Sequence, residues 1–428
     1  MQSTNDKRIK LFAATLGLLS AFSSVSAQET GSGSVFTKYR VGGYGEMVAN
    51  FMNYGKNRFT TMGSARENRA TIAIPRFVLA GDYKFTPKIT LGAEIEFEYG
   101  GVGTANEIEW YSENGEYEKE TEKGGAIELE QFHITFALTG WLNIRAGHMV
   151  LPMGLTNSHH EPIFFFGTSR PEGETTLMPC TWHETGVGVF GQAGAFGYEA
   201  MVTTGLNPNG FGRQYWIKDG KQGAFETDNF SAPAVTARLE YSGVKGLRIG
   251  TSYYWCGNAG KNADKPEIYK DKINIGIVTG DIQYTGYGWT VRANADYGFV
   301  SNTLMLNNAN KNISSKSEYS KTSVAKNALT YGAEAGYDIT RLFPGKQPGS
   351  ITPFLRYEYY NPMESTSQKQ VADKRLEVNK WTVGANWNIR PNLVLKADYT
   401  IRRIGGGKYN RENEFGIGLA YIGWFAQK

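Results

Sequence analysis

All five histidines of this 428-residue chain fall between His133 and His183, and His159, His160 and His183 share one stretch with Glu161, Cys180 and Glu184. Imidazole, thiolate and carboxylate are the ligand types that zinc accepts. No H-x-x-x-H or C-x-x-C spacing accompanies them, so the reading is polar lining and no metal. Gly405-Gly406-Gly407 lacks the Lys-Ser/Thr that a phosphate loop requires, and His183-Glu184 lacks the second histidine of a zinc-protease helix. No spacing fixes a serine, a histidine and an acid near one another. The sequence therefore points away from an enzyme and implies no cofactor.

A larger set of residues carries charge at regular spacing. In Lys88 to Tyr99, Ile89, Leu91, Ala93, Ile95, Phe97 and Tyr99 alternate with Lys88, Thr90, Glu94, Glu96 and Glu98. A strand separates these two sets onto opposite faces, and a helix would scatter them. The same parity puts Arg40, Glu46, Arg76, Asp82, Arg145, Glu199, Arg238, Glu240, Arg248, Arg292, Asp296, Glu334, Arg356, Glu358, Lys396, Asp398 and Arg402 on polar faces. On a lipid-facing wall an Arg or Lys costs about 2–4 kcal/mol at the bilayer midplane, so these groups must face water or one another. Most are expected to pair locally; a minority would set ion preference in a water-filled bore.

The elements that must hold them are long strands. Alternation marks sixteen, near 39–52, 70–84, 88–100, 126–138, 142–150, 184–192, 196–204, 233–241, 247–256, 272–284, 289–301, 327–339, 350–360, 376–389, 392–403 and 412–425, with fourteen or eighteen as alternative counts. A membrane-crossing strand needs about 9–11 tilted residues, and closure so that no edge is left unpaired. The predicted fold is all-β: a transmembrane antiparallel β-barrel of sixteen strands over residues 39–428. Residues 272–284 change phase near Val278, which suggests a bulge or a misread strand. Short and long connections alternate, as one-directional insertion demands.

The connection 151–183 is the longest and holds His159, His160, Glu161, Phe164, Phe165, Phe166 and Arg170. A phenylalanine run is costly in water, so this loop is expected to fold inward and constrict the channel. Glu107 to Glu122 forms an acidic stretch, read as a solvated outer loop.

Lys7, Arg8 and Lys10 precede the apolar run Leu11 to Phe22, and Val25-Ser26-Ala27 supplies a cleavage pattern, so residues 1–27 read as a signal peptide and 28–38 as a short periplasmic segment. Residues 1–27 hold three basic and one acidic residue, which lowers the formal charge from +4 to +2 and argues against nucleic acid as a partner. The 25 Tyr, 23 Phe and 9 Trp suit aromatic girdles at two bilayer interfaces. Cys180 and Cys256 are the only cysteines. They read as two isolated thiols, with a disulfide as the alternative.

Pro75-Arg-Phe-Val-Leu-Ala-Gly-Asp-Tyr-Lys-Phe-Thr-Pro-Lys-Ile-Thr-Leu-Gly-Ala-Glu-Ile-Glu-Phe97 resembles the early hairpin of the phosphate-selective porin O and P family. Leu142-Asn-Ile-Arg-Ala-Gly-His-Met-Val-Leu-Pro-Met-Gly-Leu155 is similar to that family's glycine and proline-x-glycine strand leading into its long loop. The resemblance implies a sixteen-stranded trimer with an inward-folded third loop. Phosphate selectivity in the family rests on clustered inward arginines and lysines, whereas the loop 151–183 offers Arg170 and no lysine. The architecture is carried over and the solute is left open.

Together these readings anticipate passive diffusion of small hydrophilic solutes and ions across a Gram-negative outer membrane. The barrel would contact lipid and lipopolysaccharide and keep both termini in the periplasm. Two alternatives are a substrate-selective channel for phosphate, organic acids or sugars, and a structural or adhesive barrel.

Overall fold

Hydrocarbon offers no water to satisfy a free strand edge, and the chain answers by closing its sheet completely. The computed structural model describes residues 36–428 apart from 57, 59, 102–105, 110–117, 122–124, 223–226, 312–321, 344, 346, 347, 368 and 369. The expected signal segment 1–27 and most of 28–38 lie outside the described residues, as do the side chains of the acidic stretch 107–122.

In chain order the strands are β1 Tyr39–Met52, β2 Arg69–Thr86, β3 Ile89–Glu98, β4 Asn106–Glu109, β5 Glu118–Thr121, β6 Ile127–Ala137, β7 Asn143–Val150, β8 His183–Ala193 and β9 Phe196–Thr203. They continue as β10 Ala234–Tyr241, β11 Leu247–Cys256, β12 Ile275–Gly286, β13 Trp289–Val300, β14 Asn327–Tyr337, β15 Ser350–Ser365, β16 Val378–Arg390, β17 Leu393–Ile404 and β18 Arg411–Gln427. Sixteen of them form the closed antiparallel barrel, in which β1 pairs with both β2 and β18; β4 and β5 form a separate two-stranded ribbon between β3 and β6. The two described ends of the chain meet, with the Thr37 N–H donating to the Lys428 carbonyl at 2.7 Å. Among the described residues three short α-helices lie in connections: α1 Leu155–Ser158, α2 Glu172–Leu177 and α3 Thr303–Asn310.

The sixteen strands lie where alternation puts them because each must carry one apolar face. Val41, Met47, Ile95, Val187, Val235, Val278, Leu355, Val383 and Ile417 are exposed on the outer wall. Aromatic pairs gather next to the turns that join β8 to β9, β12 to β13 and β14 to β15, with Phe196 on Tyr241 at 5.2 Å and Trp289 on Tyr337 at 5.1 Å. A second set, including Phe51 on Phe415 at 6.1 Å, lies toward the long connections. Two such levels are the girdles of a membrane barrel.

The expected irregularity in 272–284 resolves as a misread start. The register of β12 against β11 and β13 is unbroken through Val278, and the strand begins at Ile275. Ile275 and Ile277 point inward yet are apolar, because they meet a cluster built by the long connections: Leu151, Met153, Leu177, Trp182, Leu206 and Trp216. Trp182 tilts against Tyr254 at 4.7 Å, and the Trp216 indole N–H donates to the Ala325 carbonyl at 3.2 Å. Inside this end of the barrel, burial replaces water as the partner of the inner face.

Candidate functional site

The inner wall is a lattice of ion pairs, some between neighbouring strands and some, such as Arg145 of β7 with Glu199 of β9, across an intervening one. Arg40 meets Asp82 at 2.5 Å, Arg76 meets Glu46 at 3.4 Å, Arg145 meets Glu199 at 3.3 Å and Arg402 meets Glu412 at 2.7 Å. Glu334 lies directly across from Arg292 on one side and Arg356 on the other, at 2.6 and 2.8 Å. Arg238 of β10 reaches past β11 to Asp281 of β12 at 2.8 Å. Gly250 makes that reach open, since a Cβ there would stand 2.2 Å from the Arg238 guanidinium. Glu94, Glu96 and Glu98 share the inner face of β3; the Gln131 amide donates to Glu94 at 2.5 Å, and Glu96 lies 3.8 Å from Arg76. Lys396 completes the set on β17.

Parity missed several inner-face groups. Glu130 and Gln131 stand side by side because β6 bulges opposite Glu94 and Ile95, which breaks the alternation. Two consecutive polar residues in an otherwise alternating strand were the available signal. Asp281 shares its inner face with the apolar Ile275 and Ile277, which disguise the parity of β12. Lys380 of β16 lies on the same face as Thr382 and is buried.

Side chains from eight strands converge on residues 159–174. The Arg76 guanidinium donates to the His160 carbonyl at 2.8 Å, and the His160 imidazole lies 3.0 Å from Glu130. Arg248 and Gln283 each approach the His159 ring at 3.3 Å, and Asn294 donates to Glu174 at 3.1 Å. Arg356 donates to the Ser169 carbonyl at 2.9 Å and also to that of Phe166. Lys396 donates to the carbonyl of Phe165 at 3.1 Å and to that of Pro162. The Gly167 N–H donates to Asn386 at 3.2 Å and the Thr168 N–H to Asp398 at 2.6 Å.

The phenylalanines take part through their faces. Lys396 sits 4.2 Å over the Phe165 ring, while Phe166 stacks on Phe354 at 5.1 Å and lies 5.0 Å from the Arg292 guanidinium. Phe164 is half-buried and meets His159 edge-on at 6.4 Å. Arg170 stays local, donating to the Cys180 carbonyl at 2.9 Å.

The segment is also braced from within. Glu174 accepts the backbone N–H groups of Leu155, Thr156 and Asn157 at 3.0–3.1 Å. Gly154 precedes them with φ +65°, and a Cβ there would lie 2.2 Å from that carboxylate. Asn157 closes the neck, donating to the Leu151 carbonyl at 2.8 Å and accepting the Trp182 N–H at 2.6 Å.

The histidines considered as a ligand set are dispersed. His159 goes to the Arg248 wall and His160 to Glu130, while His183 pairs with His148 at 2.5 Å and Lys221 at 2.7 Å. Among the described residues no group of three or more His, Cys, Asp and Glu could hold a metal ion. Cys180 and Cys256 are free thiols, and burial pushes the Cys180 thiol up to about 12.

Burial alone would depress the His160 imidazolium, but Glu130 and Glu161 beside it outweigh that and hold it up at about 10. Glu161 is fully buried, neither of its carboxylate oxygens accepts a hydrogen bond from another of the described residues, and burial pushes it up to about 7 against the pull of His160. A histidine ordinarily titrates near about 6.5. Its contribution to anchoring is therefore complete below that value and is lost as pH rises through about 10. The charged groups around it are Glu130, Glu161, Glu94, Glu96 and Arg76. The expected outcome is a melting temperature that falls as pH rises from about 6.5 through about 10. In His160→Asn it is already low and lacks that fall. Identical profiles for the two proteins would assign the effect elsewhere.

No protein-family model matches the sequence. An uncharacterized protein of Aquifex aeolicus (strain VF5) is 26% identical over 365 residues, covering 84% of this chain and 74% of that one. Among solved structures, the outer membrane channel DcaP of Acinetobacter baumannii superposes with a TM-score of 0.55 at 13% identity, covering 90% of this chain and 97% of that one. The anion-selective porin of Comamonas acidovorans gives 0.54 at 9% identity, covering 90% and 100%. OmpF of Salmonella typhi, in complex with daunomycin, gives 0.52 at 12% identity, covering 90% and 98%. The fold is that of outer-membrane porins.

Proposed function

We propose that this protein is an outer-membrane porin through which small hydrophilic solutes and ions diffuse passively. The observation that carries this reading is a closed sixteen-stranded wall, apolar outside and charged inside, whose inner side chains grip the segment 151–182. A barrel of this strand number encloses an aqueous channel unless something fills it. In this reading the segment folds into the bore as the constriction, with Phe165, Phe166, His160 and Glu161 at its narrowest part. The inner residues Arg40, Glu46, Arg76, Glu94, Glu96, Glu98, Arg145, Arg238, Arg292, Glu334, Arg356, Lys396 and Arg402 line the path. Arg145, Arg356 and Lys396 are only 1%, 2% and 3% exposed, so the passage is narrow.

Short turns of such barrels face the periplasm. That assignment puts the joined ends of the chain there, with residues 1–27 as the export signal. A homotrimer and kinship with the phosphate-selective porin O and P family complete the proposal, supported by the motifs at Pro75–Phe97 and Leu142–Leu155.

Purified protein in planar bilayers tests the reading. Discrete, small conductance steps with linear current–voltage curves are the expected result. A protein that partitions into detergent and inserts into vesicles yet gives no steps would favour a structural or adhesive barrel.

A further inference from the structure

Glu172 opens α2 in the middle of the segment 151–182, and its half-buried carboxylate is ringed by cations from the β16–β17 pair and from the β1–β2 connection. Arg402 of β17 approaches at 3.0 Å, Lys380 of β16 at 3.2 Å and Arg58 of the β1–β2 connection at 3.3 Å. The Tyr360 hydroxyl donates to the same carboxylate at 2.7 Å. Burial would raise this carboxyl, but Arg402, Lys380 and Arg58 outweigh it and hold Glu172 well below the ordinary carboxylate range.

Other carboxylates also stand near these cations. Glu358 lies 3.8 Å from Lys380, and Glu412 lies 2.7 Å from Arg402 and 3.7 Å from Arg58. Glu414 borders the same space, and of these carboxylates Glu172 is the one that Arg58, Lys380 and Arg402 all reach. Beside it opens a cavity of about 200 Å³, bordered by Tyr54, Ser169, Arg170, Thr175, Glu412 and Glu414. At about 30 Å³ per water molecule, that is room for a solute of several heavy atoms.

We propose that Arg58, Lys380, Arg402 and Tyr360 form a carboxylate-binding subsite in the bore, which Glu172 fills as a built-in occupant. Small monocarboxylate solutes compete with Glu172 for it, their carbon skeletons lying in the adjoining cavity. The ligand class follows from the resident group: three donors and a hydroxyl already enclose one planar carboxylate. The position in a permeation path rests on the porin reading; the binding chemistry does not.

The test uses the full-length protein in detergent, with Glu172→Ala and Glu172→Gln, at fixed ionic strength. Acetate is titrated by calorimetry and by thermal melting, with chloride and inorganic phosphate as comparison anions. Glu172→Ala is expected to bind acetate at least about tenfold more tightly than the native protein and to regain melting temperature with it. Should that variant fail to fold, Glu172→Gln keeps the side-chain size and reports the same acetate preference. Lys380→Met added to either variant removes the response. Acetate responses no larger than those of the native protein overturn the proposal, as do responses matched by chloride or exceeded by phosphate. Millimolar acetate should also reduce chloride current through Glu172→Ala in bilayers. Acetate binding without any current would leave the subsite standing and remove the porin reading; current without acetate binding would do the reverse.

Discussion

Glutamine in place of Glu334 lowers the stability of the barrel by about 3–5 kcal/mol, the typical consequence of removing one partner from a buried ion pair. The carboxylate is the shared partner of Arg292 and Arg356, which flank it from β13 and β15 at 2.6 and 2.8 Å. Its side chain is 6% exposed, and those of the two arginines are 12% and 3% exposed. Without it two guanidinium groups confront each other across one strand, and water has little access to either. The same arginines hold the segment 151–182, Arg356 through the Ser169 carbonyl and Arg292 through the face of Phe166. The substitution therefore loosens the segment as well as the wall, and the added positive charge shifts reversal potentials toward anions. Urea unfolding in lipid vesicles, followed by gel mobility, reads the stability. A loss below about 1 kcal/mol would mean that water already screens the pair, as it does for exposed salt bridges. Combining Glu334→Leu with Arg292→Met should be less damaging than Glu334→Leu alone, because it removes one stranded charge.

Lipid makes the barrel legible in sequence. Each strand must be long and carry one apolar face, so Ile89 to Phe97 or Val378 to Ile389 announce themselves without reference to the rest of the chain. Legibility fails where another contact replaces lipid or water. Ile275 and Ile277 face inward onto the Trp182 and Trp216 cluster, so their apolar character misplaces the start of β12. Glu130 escapes because a bulge, set by pairing with β3, shifts the parity of β6. In the segment 151–183 the phenylalanines could be singled out by composition, since such a run is costly in water. Their partners could not. Arg356 and Lys396 are held by backbone carbonyls, which leave no trace in residue types. Lys380 and Arg402 face each other across β16 and β17, but Arg58 and Glu172 reach them from two connections that no periodicity links.

On the proposed porin reading, serine at Phe164, Phe165 and Phe166 together raises single-channel conductance at least about threefold, because two of those rings anchor the segment 151–182 to the inner wall. Phe165 and Phe166 are 3% and 6% exposed in a lumen otherwise lined with charge. Burying each ring contributes about 1.5–3 kcal/mol, and a cation over an aromatic face adds about 0.5–2 kcal/mol. Lys396 and Arg292 supply those cations, so both kinds of anchoring vanish together. The remaining hydrogen bonds, donated by Arg356 and Lys396 to main-chain carbonyls and accepted by Asp398 from the Thr168 N–H, exchange readily with water once the rings leave. The wall itself keeps its pairing, since none of the three residues belongs to a strand. Conductance then reports the width of the bore and not its integrity. Lys396→Cys supplies a second measurement, because its thiol should react with a charged methanethiosulfonate much faster in the serine background. Unchanged conductance together with unchanged labelling would show that the segment does not set the width, and the constriction would have to be sought elsewhere along the inner wall.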